Sequence, residues 1–192
     1  ESTEQASASG MLDEIIVTAR KREESLLDIS ESVTAISGSD IDDQNIKGLD
    51  KVGLLIPNLN LAMRADGYPN VSIRGIGAFG LTQGVGFYLD DVQLFSDASS
   101  RFGDLDRIEV LKGPQGILYG GSNIGGAVKF VSKRPSSEDG FTGRIKHQTG
   151  EQGINDTEIS ANIPLQGDWA MRVFAFTRDD DGFLTNPNSD GI

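Results

Sequence analysis

The residue types in this chain best equipped for chemistry are clustered carboxylates, glycine loops and one imidazole. Asp90-Asp91 and Asp179-Asp180-Asp181 set acids side by side. Such groups serve acid–base catalysis or calcium binding. A calcium loop spreads its ligands over about 12 residues and closes on Glu, and Asp179–Gly182 does neither. Asp90-Asp91 falls between two short β-type runs, where Asp tolerates the left-handed backbone of a tight turn. Both clusters read as turn chemistry. Gly75-Ile76-Gly77-Ala78-Phe79-Gly80 matches the dinucleotide spacing, but Leu81–Gly86 opens no helix to hold a pyrophosphate. Gly113–Ser122 is glycine-rich without the Gly-Lys-Ser/Thr of a phosphate loop. His147 is the only histidine and there is no cysteine, so His-rich and thiolate metal sites and disulfides are excluded. Asn155-Asp156-Thr157 matches a glycosylation sequon of a length that recurs by chance. No nucleophile stands beside a base. Catalytic residues, resident metals and cofactors are therefore not expected.

The remaining chemistry belongs to backbone. Residues 1–12 are small and polar and read as a disordered leader. Asp13-Glu14-Ile15-Ile16-Val17-Thr18-Ala19 is a short run rich in β-branched residues. The charged stretch Arg20–Glu24 follows. With nothing local to pair with, the run reads as a strand awaiting a partner sheet.

The elements around it become domain-like from Ser32. Ser32–Ile36 is a predicted strand, and Ser39-Asp40-Ile41-Asp42 has capping-box spacing for a short helix. Leu49–Ile56 is a second helix, stopped by Pro57. Val71–Arg74 is a strand entering a glycine loop. Gly86–Leu89 and Val92–Phe95 form a hairpin through Asp90-Asp91. Arg107–Lys112 is a strand ended by Gly113-Pro114. Gly116–Tyr119 is one helical turn, and Ala127–Ser132 is a last strand. The mixture predicts an α+β module with a small mixed sheet.

After Pro135 the period changes. Phe141–Gly150, Thr157–Leu165 and Trp169–Arg178 are predicted strands separated by turns at Glu151–Asn155 and Pro164–Asp168. Ile159, Ala161, Ile163 and Leu165 share one face, against Glu158, Ser160 and Asn162. Trp169, Met171, Val173 and Ala175 share a face of the next strand. Phe141 and Ile145 oppose Arg144 and Lys146 on the first. Strands of about 9–11 residues with this alternation suit an outer-membrane barrel wall, and equally an ordinary three-stranded meander. His147 reads as a satisfied wall residue. Three strands close no barrel, so further strands are expected downstream or from another chain.

Composition narrows the classes. Asp and Glu number 29 against 17 Lys and Arg, for a net charge of −12. Nucleic-acid binding needs a basic face, so no nucleic-acid partner is expected. No apolar run reaches the ~18 residues of a membrane helix, and no signal peptide is evident. Thirteen of the 24 glycines lie between Gly67 and Gly126. That segment must fold with tight turns and close backbone approaches.

Several blocks, in order, resemble one family. Asp13–Ala19 (DEIIVTA) resembles the TonB box of TonB-dependent outer-membrane receptors. Val71–Gly77 (VSIRGIG) resembles the family's Ile-Arg-Gly segment. Gly86–Val92 (GFYLDDV) resembles its Tyr-x-Asp-Gly-Val hairpin, with Asp91 where Gly is usual. Asp106–Gly116 (DRIEVLKGPQG), Leu118-Tyr119-Gly120 and Ile124–Val128 (IGGAV) resemble the stretch around its Glu-Val-Leu-Lys-Gly-Pro core. The resemblance implies a TonB box at 13–19, a plug domain at 20–135, and at 136–192 the first three strands of a 22-stranded transmembrane β-barrel. It implies a bacterial outer-membrane location in contact with lipid, with the plug in the barrel lumen and the N-terminus periplasmic. It implies transport, most commonly of a ferric siderophore, with haem, cobalamin and saccharides as alternatives. Residues Asp13, Glu14, Ile15, Ile16, Val17, Thr18 and Ala19 would add as a strand to the periplasmic domain of TonB, or dock on the plug edge, each in a different ligand state. Arg74, Arg107, Glu109 and Lys112 would contribute to a charged latch against the barrel wall. Tyr68, Phe79, Gln83 and Arg101, on apical loops, would contact the extracellular ligand. A soluble module made of the plug alone is the alternative of another class.

Overall fold

A computed structural model describes residues 16–18, 24–25, 32–46, 49–63, 69–77, 84–94, 103–120, 123–151 and 153–179. The expected leader lies outside the described residues. Strand β1 (Ile16–Val17) pairs antiparallel with β2 (Glu24–Ser25). This corrects the expectation that the segment has no local partner: the charged stretch ends on residues extended enough to return alongside it.

Strand β3 (Val33–Ser37) runs into helix α1 (Gly38–Asp43). The capping box forms two residues earlier than expected, on Ser37 and Asp40 rather than Ser39 and Asp42. Ser37 ends the strand in extended geometry, the backbone an N-cap requires, while Ser39 is already helical. Helix α2 (Leu49–Leu55) stops before Pro57, and β4 (Leu59–Met63) pairs antiparallel with β5 (Pro69–Ile73). Strand β4 was not expected from the sequence.

Strands β6 (Val85–Leu89), β7 (Val92–Leu94), β8 (Leu105–Lys112) and β9 (Gly126–Ser132) join β3 in a mixed sheet of order β3-β8-β9-β6-β7. The one-turn helix α3 (Gly116–Tyr119) lies between β8 and β9. Asp90 and Asp91 both have positive φ, 46° and 70°, the geometry of a two-residue hairpin turn of the primed type. Strand alternation gives the sheet two different faces. On one, Ile36, Ile108, Val110, Val128, Phe130 and Phe87 pack with Val52 and Ile56 of the α2 region and with Val71 and Ile73 of β5. On the other, Val17 packs with Tyr88, Leu111, Tyr119 and Ala127. The main core thus lies beneath α1, α2 and the β4–β5 hairpin, and the N-terminal segment covers the opposite face.

Strands β10 (Thr142–Thr149), β11 (Asn155–Pro164) and β12 (Ala170–Asp179) form a separate antiparallel meander. Its even-numbered residues turn toward the plug. Arg172 makes a two-bond contact with Asp104, at 2.5 and 2.6 Å. Arg144 pairs with Asp42, and Asn45 donates to Gln148 at 3.0 Å. Gly103 lies against Phe174, whose ring a Cβ there would meet at 2.0 Å. This is one place where glycine permits the close approach of plug to wall. Asn162, buried in β11, fixes the connection between the two parts. It donates to the carbonyls of Ser136 and Gly140 and accepts from the Ser136 amide, all within 2.8–2.9 Å. The apolar face points away from the plug: Ile145 and Trp169 are about three-quarters exposed, and Ile159, Met171 and Val173 nearly half. His147 sits on this outer face and bonds Thr157, its cross-strand partner.

Candidate functional site

The site is built on one row of residues across the plug sheet. Register places Ala35, Glu109, Lys129 and Tyr88 side by side on β3, β8, β9 and β6. All four belong to the face away from the main core. Glu109 and Lys129 are essentially buried. A charge taken out of water must be paired and hydrogen-bonded, and here the N-terminal segment supplies much of that compensation.

Thr18 is the centre of the arrangement. Its backbone N–H donates to Glu109 Oε1 at 2.8 Å. Its hydroxyl lies 3.1 Å from the same oxygen and accepts from Lys129 Nζ at 2.6 Å and from Arg107 at 3.3 Å. Its carbonyl accepts from Lys129 at 3.2 Å and from the Tyr119 hydroxyl at 3.4 Å. Arg107 Nε also reaches Glu109 Oε1, at 2.8 Å. Lys129 completes its donor set on Asp91 at 2.8 Å. Asp90 accepts from the Ser132 amide and hydroxyl at 2.9 and 2.7 Å. The two turn aspartates therefore fasten the β6–β7 hairpin to β9. At Asp91, where the family pattern has Gly, a carboxylate is exchanged for backbone freedom and answers a buried lysine.

Tyr119 closes the other side. Its ring lies 4.8 Å from that of Tyr88, and the Tyr88 hydroxyl donates to the Tyr119 carbonyl at 3.1 Å. Asn123 donates to the Tyr88 hydroxyl at 2.5 Å and to the Gly120 carbonyl at 2.7 Å. Gly86 leaves room for Asn123: a Cβ there would come within 2.2 Å of its Oδ1. Burial, then the charges of Glu109 and Asp91, push the Tyr119 hydroxyl well above its ordinary pKa. It therefore acts as a neutral donor.

Of the residues expected to couple or to latch, the structure brings together Ile16, Val17, Thr18, Arg107 and Glu109. Val17 is buried and Ile16 half-exposed. Arg74 lies apart, exposed, with φ 53° and a bond to Ser32. Lys112 ends β8, half-buried. Asp13, Glu14, Ile15 and Ala19, and the apical residues Tyr68, Phe79, Gln83 and Arg101, lie outside the described residues. Lys129 and Tyr119 were not anticipated at this site. The clue was present in Ala127-Val128-Lys129-Phe130-Val131, where one lysine interrupts a strand otherwise buried on both faces.

The arrangement defines a class: a plug sheet carrying a docked N-terminal strand on one face, attached to an antiparallel sheet whose polar side meets the plug and whose apolar side faces away. The family described as "TonB-dependent Receptor Plug Domain" matches residues 25–127. This chain belongs to the TonB-dependent receptors, a family of outer-membrane proteins. It is 30% identical over 176 residues to a ferrioxamine receptor of Yersinia enterocolitica, covering 85% of this chain and 23% of the relative. It is 30% identical to the vitamin B12 transporter BtuB of Vibrio vulnificus, covering 89% of this chain and 28% of that protein. Among solved structures, the ferric yersiniabactin uptake receptor FyuA of Yersinia pestis superposes with a TM-score of 0.74 at 26% identity, over 83% of this chain and 26% of that one. The chain spans about a quarter of the length of these relatives. They are receptors and transporters.

Proposed function

We propose that this chain is the TonB box, plug and first wall strands of a transporter that imports a ferric siderophore across the bacterial outer membrane. The observation that carries the reading is the polarity of the β10–β12 sheet. Arg144, Lys146 and Arg172 on one side pair with plug carboxylates, and the apolar side is left bare, which suits a wall between a filled lumen and lipid. A plug-only soluble module would leave that side in water, so this alternative is not favoured. The remaining strands of a 22-stranded barrel would enclose the plug.

In this reading Asp13–Ala19 couples the plug to the periplasmic domain of TonB by strand addition. The docked pose and TonB binding are alternatives, because Thr18 cannot hold Glu109 and Lys129 while it lies along another sheet. Ligand arriving at the apical loops, with Tyr68, Phe79, Gln83 and Arg101 as its contacts, would shift the segment toward release. The latch to strands beyond this chain would rest chiefly on Arg74 and Lys112, since Arg107 and Glu109 serve Thr18 while the segment is docked. The ferrioxamine and yersiniabactin receptors among the similar proteins favour a siderophore over cobalamin.

Strand addition is tested at Ile16, whose side chain is half-exposed. Ile16→Pro should weaken binding of a TonB periplasmic fragment to the full-length protein far more than Ile16→Ala, because proline removes a backbone donor. Equal binding by the two variants defeats the coupling role. Uptake of iron supplied as chemically distinct ferric siderophores, under iron limitation, tests the cargo. Uptake of none of them, with uptake of cobalamin, overturns the siderophore assignment.

A further inference from the structure

We infer that the Thr18 hydroxyl is a removable wedge that splits a Glu109–Lys129 ion pair, and that this pair closes on itself when the segment leaves. Glu109 and Lys129 are register partners on antiparallel strands, where facing side chains come within direct reach. No ion pair between them forms in the docked state: both are bound to Thr18, Glu109 also to Arg107 and Lys129 also to Asp91. The hydroxyl has one proton, which it gives to Glu109, and lone pairs that take protons from Lys129 and Arg107. Only a group that donates and accepts at once fits between an anion and a cation.

The row is also prepared for the other state. Glu109 Oε2 is buried and has no hydrogen-bond partner among the described residues. Departure of Thr18 withdraws three bonds from Glu109 Oε1 and Lys129 Nζ together with the carbonyl's bond to Lys129. That leaves Glu109 with Arg107 alone and Lys129 with Asp91 alone, and buried charges with so few partners would oppose the departure. A lysine freed opposite a carboxylate with an unused oxygen restores the compensation inside the plug. Two alternative pairings of the same charges make a two-state element, which a ligand can bias with modest energy. This inference rests on the coupling reading for its biological meaning, but the docking switch itself needs no TonB.

The test uses the full-length protein with a nitroxide on Ile16→Cys, and reads the ratio of mobile to immobile label without TonB present. Thr18→Ser keeps the hydroxyl and should leave the ratio within about twofold of the parent. Thr18→Val keeps the shape and loses the hydroxyl's bonds to charged groups, each of the stronger kind, and should raise the ratio at least tenfold. A Val variant as immobile as the parent, or a Ser variant as mobile as Val, overturns the wedge. Re-pairing is read in a Thr18→Pro background, which releases the segment in the intact chain. There Glu109→Gln and Lys129→Gln should each lower the thermal midpoint more than the double variant does. A double variant that loses the sum of the two overturns re-pairing. A TonB fragment that binds no variant, with the label ratios as expected, would refute the coupling reading and leave the wedge standing.

Discussion

Val17 should control docking of the N-terminal segment more than any neighbour by hydrophobic means. Its side chain is fully buried against Tyr88, Leu111, Tyr119 and Ala127. Val17→Ala removes two methyl groups, each worth about 0.8 kcal/mol when buried. The residual space against two aromatic rings adds to that, for a total of about 1.7–2 kcal/mol. At about 1.4 kcal/mol per tenfold, the undocked population should rise roughly 10- to 30-fold. Ile16→Val is the control: it removes one methyl from a side chain half in water, about 0.4 kcal/mol, or twofold. The reporter is the Thr18 amide, which is bonded to the Glu109 carboxylate when docked. Its hydrogen exchange in the full-length protein reads the undocked fraction. Exchange in Val17→Ala within twofold of the parent, or equal acceleration by Ile16→Val, would refute the packing argument.

Three further outcomes follow from the geometry. Asp104→Ala leaves Arg172 without its two-bond carboxylate; both groups keep some solvent contact, so the cost in denaturant unfolding should be about 2 kcal/mol, below that of a fully buried pair. Adding Arg172→Ala should recover part of this loss. Asn162→Ala removes all three bonds to the 136–140 connection, and limited proteolysis should then cut there at a rate at least tenfold above the parent. Tyr119 holds its proton above the ordinary tyrosine value because burial disfavours the anion. Its contribution to stability is therefore complete below about pH 10 and is lost as pH rises through the raised value. The tyrosinate absorbance that Tyr119→Phe removes should emerge only above that range; a component appearing near pH 10 would place the ring in water.

What the sequence disclosed depended on how local the cause was. The Asp90-Asp91 turn, the Pro57 stop, the Gly113-Pro114 stop and the wall alternation each rest on a few adjacent residues, and each is found in the fold. Strand β4 escaped although the Pro57-Asn58 turn, with Asn58 at φ 66°, precedes it, because Leu59-Asn60-Leu61-Ala62-Met63 is short and its pairing with β5 makes it a strand. The capping box shifted because Ser37 and Ser39 offer similar local chemistry, and the end of β3 chooses between them. The functional site was half legible. Glu109 and the 13–19 segment are visible in motifs, but the bond between Thr18 and Glu109 joins residues 91 positions apart. Lys129 carries no motif. It becomes readable only when β8 and β9 are placed in register, since a buried lysine implies a partner without naming it.

The wall offers the sharpest separation between the membrane reading and a soluble meander. Val173 stands near the middle of β12 on the apolar side and is nearly half-exposed. Its neighbours Arg172 and Phe174 turn the other way, toward Asp104 and Gly103. In water, Val173→Arg would place a charge where solvent already reaches, a change usually within about 0.5 kcal/mol. In lipid, the same arginine faces hydrocarbon, at a cost of about 2–4 kcal/mol near the midplane, falling toward the interfaces. The two environments thus differ by a factor of roughly 10 to several hundred in folding equilibrium. The measurement is refolding of the full-length protein into lipid vesicles against denaturant, with Ser160→Arg, on the plug side of β11, compared separately because it reports crowding rather than lipid. A folding loss below about 0.5 kcal/mol for Val173→Arg would put this face in water and remove the membrane from the account. A loss of several kcal/mol ties the apolar outer face, and with it the inward aim of Arg144, Arg172 and Asn162, to one cause: a wall that must satisfy the plug on one side and lipid on the other.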